Sequence, residues 1–160
     1  ITGSRSDSKV FINKTPGYLI KNTDLPVLFV PRNYRFKKIE KVLLTIKSGI
    51  ISSSDVLTPL ETIINRFNAQ LNILRVATPD AQDGDEVMSE ELKSLKYNFI
   101  TSENTTVFKG VLENIGSIKP DLLCVIRRKR GFFKRLWEND KVYKKDFEST
   151  LPLLVLKGSE

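Results

Sequence analysis

The chain lacks histidine altogether, and its 160 residues include one cysteine, one methionine and one tryptophan. Without imidazole there is no Ser-His triad, no histidine general base and none of the commonest zinc ligand. A single thiol, Cys124, excludes an internal disulfide and fits a reducing compartment. It sits in an apolar run, where a free cysteine behaves as a small core hydrophobe. A transition-metal site would have to be all carboxylate, and no tight Asp/Glu cluster offers one, so no metal is expected. Carboxylates and lysines keep acid–base chemistry open in principle, yet no catalytic residue stands out, and the reading is a non-enzyme. No apolar stretch approaches the roughly 20 residues of a membrane span, and no signal peptide is visible. A cytoplasmic protein is expected.

What is present is an ordinary globular composition with a positive excess, 26 Lys and Arg against 19 Asp and Glu, giving +7. That excess favours acidic partners in general without specifying nucleic acid. The length is enough to bury a core without metals or disulfides.

The ending of the chain repeats its beginning. Leu25-Pro26-Val27-Leu28-Phe29-Val30 returns as Leu151-Pro152-Leu153-Leu154-Val155-Leu156. Both are short apolar runs entered through a proline, which a strand tolerates at its first position and not in its middle. Between them lies one full set of alternating strand and helix signals, the size of a single α/β domain. Before the first run there is only Ile1-Thr2-Gly3-Ser4 and a short amphipathic stretch, 15–22, with Tyr18, Leu19 and Ile20 as its inner face. Pro31 ends the first run, and the polar residues 32–35 mark a boundary. The chain starts at Ile1, not Met, and is expected to be a piece of something longer. The expected organisation is a helix-strand remnant of one domain, 1–34, followed by a complete second domain, 35–160.

That second unit opens with a strand at 39–46, whose Val42-Leu43-Leu44 core reads as doubly buried and parallel. Leu57, Leu60, Ile64 and Phe67 then recur at helical spacing. Either Asp55 or Thr58 would cap this helix, since Thr58-Pro59-Leu60-Glu61 has capping-box spacing. A strand at 70–76 and an acidic loop at 80–85 follow, then a helix carrying Met88, Leu92 and Leu95. After a strand at 97–101, Thr105 or Thr106 caps a helix whose Val107, Val111, Leu112 and Ile115 face inward. Pro120-Asp121 introduces Leu122-Leu123-Cys124-Val125-Ile126, and a helix over 132–147 leads to the closing strand. The alternation predicts an α/β fold, a three-layer doubly wound parallel sheet built through right-handed crossovers. Ligands in such sheets bind beyond the carboxyl ends of the strands, where strand order reverses.

If the first and fourth strands of the unit flank that crevice, its rim carries Lys47-Ser48-Gly49 on one side. The other side carries Arg127-Arg128-Lys129-Arg130-Gly131, with no carboxylate in local sequence to neutralise it. Such a rim either splays into water or holds an anion. Lys47, Arg127, Arg128, Lys129 and Arg130 are therefore the candidate anion site, with the amides near Gly131 able to contribute. One glycine is not a phosphate loop. Phe132, Phe133, Leu136 and Trp137 read as the packed face of a helix, with a nucleic-acid or lipid surface as the competing reading for 127–137.

With these strands and loops placed, the chain resembles the universal stress protein family, in particular a tandem two-domain member cut inside its first domain. The residues that carry the resemblance are Pro120-Asp121-Leu122-Leu123-Cys124-Val125, the final Leu151-Pro152-Leu153-Leu154-Val155, and the earlier copy of that ending at 18–30. The resemblance implies a five-stranded Rossmann-like parallel sheet of order 3-2-1-4-5. It also implies a dimer, or a pseudo-dimer within one chain, formed by pairing last strands, with Leu25, Val27, Leu28, Leu151, Leu153 and Val155 at the seam. Some members of the family bind ATP through an aspartate after the first strand and a G-x-x-G-x(9)-G-[S/T] loop after the fourth. Here Lys47 holds the aspartate position, Ile126 the first glycine position and Asn139-Asp140 the late Gly-Ser position. The leading fragment keeps Gly3 but has Ser6 and Asn13-Lys14 at the later points. A bulky Ile126 denies the backbone approach that glycine allows. The resemblance thus implies a stress-response regulatory module of the kind that does not bind ATP in the family manner, acting through dimerisation and a protein partner. No cofactor, no membrane span and no nucleic-acid role are expected. The alternatives are a nucleotide- or phosphate-binding protein using the cationic crevice, and an anionic-surface binder through 127–137.

Overall fold

A computed structural model describes residues 2–3, 19, 23–32, 34–51, 53–79, 84, 87–127 and 151–158. The expected helix over 132–147, with Phe132, Phe133, Leu136 and Trp137, lies outside these residues. So do Arg128, Lys129, Arg130, Gly131, Asn139 and Asp140, most of the acidic loop, and all of 15–22 except Leu19.

Among the described residues seven strands form one sheet: β1 (Thr2–Gly3), β2 (Val27–Val30), β3 (Lys41–Ile46), β4 (Gln70–Ala77), β5 (Tyr97–Glu103), β6 (Leu122–Arg127) and β7 (Leu153–Lys157). Their spatial order is β1-β2-β7-β6-β3-β4-β5. Numbered within 35–160 alone, strands β3 to β7 lie in the order 3-2-1-4-5, all parallel. The sheet differs from a five-stranded one by its two extra strands. β2 adds antiparallel to β7, with Val27 opposite Val155 and Phe29 opposite Leu153, and β1 adds parallel to β2.

Side-chain alternation along the strands divides the interior into two cores. One face gathers Val27, Phe29, Leu43, Leu74, Val76, Leu123, Val125, Leu153 and Val155. It is covered by helix α3 (Val107–Ile118), which contributes Val111, Leu112 and Ile115. The other gathers Val42, Leu44, Leu71, Ile73, Leu122, Cys124, Leu154 and Leu156, under α1 (Thr58–Phe67) and Leu92 of α2 (Glu90–Lys93). Helices on both faces make three layers. The long apolar runs of β3 and β6 are what a parallel strand buried on both faces requires.

Local chemistry places the helix ends. Thr106 caps α3 by accepting from the Lys109 amide at 3.1 Å, and α3 ends at Lys119 in the left-handed conformation. Before α1, a 3-10 turn (Ser54–Val56) is capped by Ser53, whose hydroxyl accepts from Asp55 N. Neither Asp55 nor Thr58 caps α1. Its N-cap is Leu57, whose hydrocarbon side chain has no capping acceptor and is fully buried in the core.

Two further expectations change. The helix around Leu92 is a single turn, Glu90–Lys93, so Met88 precedes it and Leu95 follows it. Met88 is instead part of an extended segment, 87–89, that crosses the loop after β3. Leu19 is exposed at 38 % and is not an inner-face residue, and β2 starts at Val27, which leaves Leu25 72 % exposed ahead of it.

Candidate functional site

The carboxyl ends of β3, β6 and β7 lie side by side, which is where a parallel sheet places a ligand. Register fixes which side chains meet there. Arg127 pairs with Lys157 across β6 and β7, and Val125 pairs with Thr45 across β6 and β3. Alternation puts Thr45, Arg127 and Lys157 on the face that Leu43, Val125 and Val155 share. Arg127 and Lys157 are therefore neighbours at the ends of β6 and β7, and Lys47 follows β3 at the same end of the sheet.

A carboxylate from outside the second unit meets the Arg127 and Lys157 pair. Oδ1 of Asp24, in the segment leading into β2, lies 3.2 Å from Nζ of Lys157 and 3.5 Å from Nη2 of Arg127. Because β2 runs antiparallel to β7, its entry falls at the carboxyl end of β7, and Asp24 arrives beside the cations. The rim expected to lack a local carboxylate thus receives one from more than 100 positions away in sequence. Asp24 is itself 75 % exposed at its side chain, whereas Arg127 is 20 % exposed.

Polar groups on the same face add to the site. Thr45 is 4 % exposed and Thr78 is 8 % exposed, and the hydroxyl of each has no hydrogen-bond partner among the described residues. Thr78 follows β4 on the same face as Val76. Hydroxyls buried without partners are uncommon in folded proteins.

The neighbouring loop is closed. Ser48 is buried and its hydroxyl accepts from Ile50 N at 3.3 Å. The Gly49 carbonyl accepts from Ser89 N at 3.0 Å. A methyl group on Gly49 would come within 2.5 Å of the Val87 carbonyl oxygen and 2.7 Å of the Met88 sulfur. The segment 87–89 therefore lies directly on the turn after β3, and only glycine allows that approach.

Of the candidate anion-site residues, Arg127 ends β6 and Lys47 follows β3 at the same end of the sheet, and Arg128, Lys129 and Arg130 lie outside the described residues. Of the expected seam residues, Val27 and Leu28 lie in β2, Leu153 and Val155 in β7, Leu151 just before β7, and Leu25 ahead of β2 in solvent. Asp24, Thr45, Thr78 and Lys157 were not singled out from sequence. The signal for Lys157 was available, since it ends the closing strand as Arg127 ends the fourth. Asp24 is visible only once β2 is known to be antiparallel.

Among the described residues no three His, Cys, Asp or Glu side chains gather as a metal-holding group, and no helix is long and apolar enough to cross a membrane.

No protein-family model matches the chain, and no curated protein matches it. Solved structures do. A universal stress protein from Archaeoglobus fulgidus DSM 4304 superposes with a TM-score of 0.64 at 15 % identity, over 99 % of this chain and 60 % of that one. A functionally unknown protein from Pseudomonas aeruginosa PAO1 gives 0.64 at 11 % identity, over 98 % of this chain and 62 % of its own length. A universal stress protein in complex with cAMP gives 0.51 at 17 % identity, over 77 % of this chain and 100 % of that one. The chain thus spans about 60 % of the length of the first two. With its 3-2-1-4-5 parallel order and helices on both faces, the chain has the fold of the universal stress proteins.

Proposed function

We propose that the protein is a non-enzymatic universal stress protein-like regulatory module that works through pairing of domain-closing strands and contacts with a protein partner. In this reading residues 1–34 are the end of a first domain and 35–160 a whole second one. The observation that carries it is the antiparallel ladder between β2 and β7, in which Val27 faces Val155 and Leu28 faces Leu154. The segments 25–30 and 151–156 share a Leu-Pro-x-Leu start and are otherwise apolar, so in this reading their pairing joins two equivalent endings within one chain. A strand apolar on both faces needs such a cover at a sheet edge.

ATP binding in the family manner is not part of this proposal. Lys47 stands where a carboxylate would meet the nucleoside, and Val87 and Met88 lie on Gly49. One structure of the same fold is a complex with cAMP, so adenine nucleotides are the ligands against which the proposal has to be tried.

Two measurements test it. In a Val27→Cys/Val155→Cys variant, oxidation is expected to give an intrachain disulfide, or an interchain one if copies exchange β2. Cys124 is buried and does not compete. No cross-link of either kind counts against the seam. Calorimetric titration with ATP and with cAMP is expected to show no saturable binding, and tight binding of either overturns the nucleotide-free reading.

A further inference from the structure

We propose that the outer edge of β5 is a pairing surface for a second copy of the chain, which adds its own β5 antiparallel and extends the sheet across a twofold axis. This goes beyond the strand-pairing reading and does not rest on it, because it uses the opposite edge of the sheet. The closing strand, β7, already carries β2 on its outer side, and beyond β2 the sheet ends in β1, of two residues. At the other end β5 runs for seven residues and, among the described residues, pairs with β4 alone.

A strand so placed is normally protected. Proline, lysine or a bulge within an edge strand blocks pairing with another chain. β5 has none of them. Its sequence, Tyr97-Asn98-Phe99-Ile100-Thr101-Ser102-Glu103, holds no proline and no lysine. Its register with β4 runs unbroken from Tyr97 opposite Leu71 to Glu103 opposite Ala77. Phe99 stays nearly half exposed although it meets the Tyr97 ring edge-on, with centroids 6.4 Å apart. A β-prone edge carrying a half-open aromatic ring is a template for one more strand.

The ladder decides which groups that edge offers. The Asn104 amide donates to the Ala77 carbonyl, and alternation in a parallel pair then turns the backbone groups of the even-numbered residues toward β4. Those of Tyr97, Phe99, Thr101 and Glu103 point outward. A twofold axis normal to the sheet keeps like faces together, so odd residues face odd and even face even. Centring the pair on Ile100 matches all seven residues of the strand. Tyr97 then lies opposite Glu103 of the second copy and Phe99 opposite Thr101, both pairs exchanging backbone hydrogen bonds. The two Phe99 rings become diagonal neighbours, within reach of each other across the axis. Charge favours this direction. Lys96 immediately precedes β5 and Glu103 ends it, so antiparallel pairing sets the basic end of one strand by the acidic end of the other. Parallel pairing sets like by like.

The test is sedimentation equilibrium of the whole chain over about a hundredfold range of concentration. A single strand pair is at the small end of specific interfaces, so a dimer that dissociates on dilution is expected. Thr101→Pro removes an amide that points outward, and Phe99→Lys puts a charge on the edge. Each should weaken the dimer about tenfold or more while the chain still folds, as its circular dichroism will show. The register has its own test. Ile100 faces itself across the axis at a non-hydrogen-bonded position, where Cα atoms are about 4.5 Å apart, inside the range a disulfide spans. Ile100→Cys should therefore give an interchain disulfide on mild oxidation, with Cys124 buried out of reach. Phe99→Cys, whose copies are offset by two residues, should not. Wild type that stays monomeric throughout, or an Ile100→Cys variant that forms no cross-link, overturns the proposal. A dimer that survives both edge variants also overturns it and points to exchange of β2 instead.

Discussion

Asp121 and Lys41 exchange hydrogen bonds in both directions. The Asp121 amide donates to the Lys41 carbonyl at 2.8 Å, and the Lys41 amide donates to the Asp121 carboxylate at 2.9 Å. The same carboxylate oxygen accepts from Glu40 N at 2.9 Å, and the other oxygen pairs with Lys37. This residue, which follows Pro120 at the entry to β6, locks the starts of the two central strands together. It does so at the end of the sheet opposite Arg127 and Lys157. The adjacent Pro120-Asp121 pair that signals the strand in sequence therefore has a structural job.

Replacing Asp121 by Ala leaves two backbone amides without acceptors and is expected to cost about 1–3 kcal/mol. Asp121→Asn keeps an acceptor oxygen and loses only the Lys37 pair, so it should cost less. Urea unfolding at pH 7 ranks the two. The pH dependence carries its own sign. Burial pushes the Asp121 carboxyl up, but the hydrogen bond from Lys37, the amides of Glu40 and Lys41 and the Lys37 charge together hold it below its ordinary value of 3.8. A carboxylate depressed on folding stabilises the protein above its unfolded-state value, and that contribution is lost as pH falls through the folded value. Wild type should therefore lose stability below about pH 4 more steeply than Asp121→Asn. Parallel pH profiles for the two proteins would refute the assignment.

Two glycines of α3 should respond to alanine with opposite signs. A Cβ on Gly110 would lie 2.7 Å from both Val76 methyl groups, whereas one on Gly116 meets nothing within 4 Å. Val76 is β-branched and fully buried, so it cannot rotate away. Gly110→Ala is expected to destabilise by about 1–3 kcal/mol through overpacking, and Gly116→Ala to stabilise by about 0.5–1 kcal/mol. Thermal melts of the two single variants decide it, and Val76→Ala in the Gly110→Ala background should recover part of the loss.

Cys124 should be unreactive in the folded protein. It is fully buried between Leu44 and Leu154 in β6, and burial pushes its thiol up far from the range where thiolate forms. The thiolate is the attacking species, so labelling needs opening of the central strand. Labelling by a disulfide reagent is expected to run about 10³-fold or more slower than in the unfolded chain, tracking global unfolding. Fast labelling at neutral pH would mean that β6 opens locally.

Strand positions were legible because burial on both faces writes itself into sequence as apolar runs, unbroken at 42–44 and 122–126, whereas the order 3-2-1-4-5 came from the family resemblance. The repeated ending at 25–30 and 151–156 revealed that two equivalent strands exist. What it could not show was their direction relative to each other, and Asp24 depends on that direction. Caps were harder to read. Ser53, Asp55, Leu57 and Thr58 compete within six residues, and the outcome turns on Leu57 entering the core, which no capping preference encodes. The helix around Leu92 was overread because Met88 and Leu95 have helical spacing with it. Met88 is held instead in the extended segment that meets Gly49. Among the cations, Lys47 and Arg127 were readable from their place at strand ends. Thr45 and Thr78 look like ordinary strand threonines until their hydroxyls are found without partners.

The part β2 plays in stability separates a docked remnant from an integral strand. Phe29 is 1 % exposed and sits in the core with Leu153 and Val155, at the partner position of Leu153 across the antiparallel ladder. Leu25, four residues earlier and outside the strand, is 72 % exposed. If β2 shares the cooperative core of the second unit, Phe29→Ala should cost about 3–5 kcal/mol in a single unfolding transition. Leu25→Ala should stay within about 0.5 kcal/mol. If β2 is instead an independently docked strand, Phe29→Ala should release it in an early, separate step and leave the main transition in place. Urea denaturation followed both by circular dichroism and by hydrogen exchange at residues 27–30 distinguishes the two, since coincident curves require one core and a low-urea loss of protection requires two.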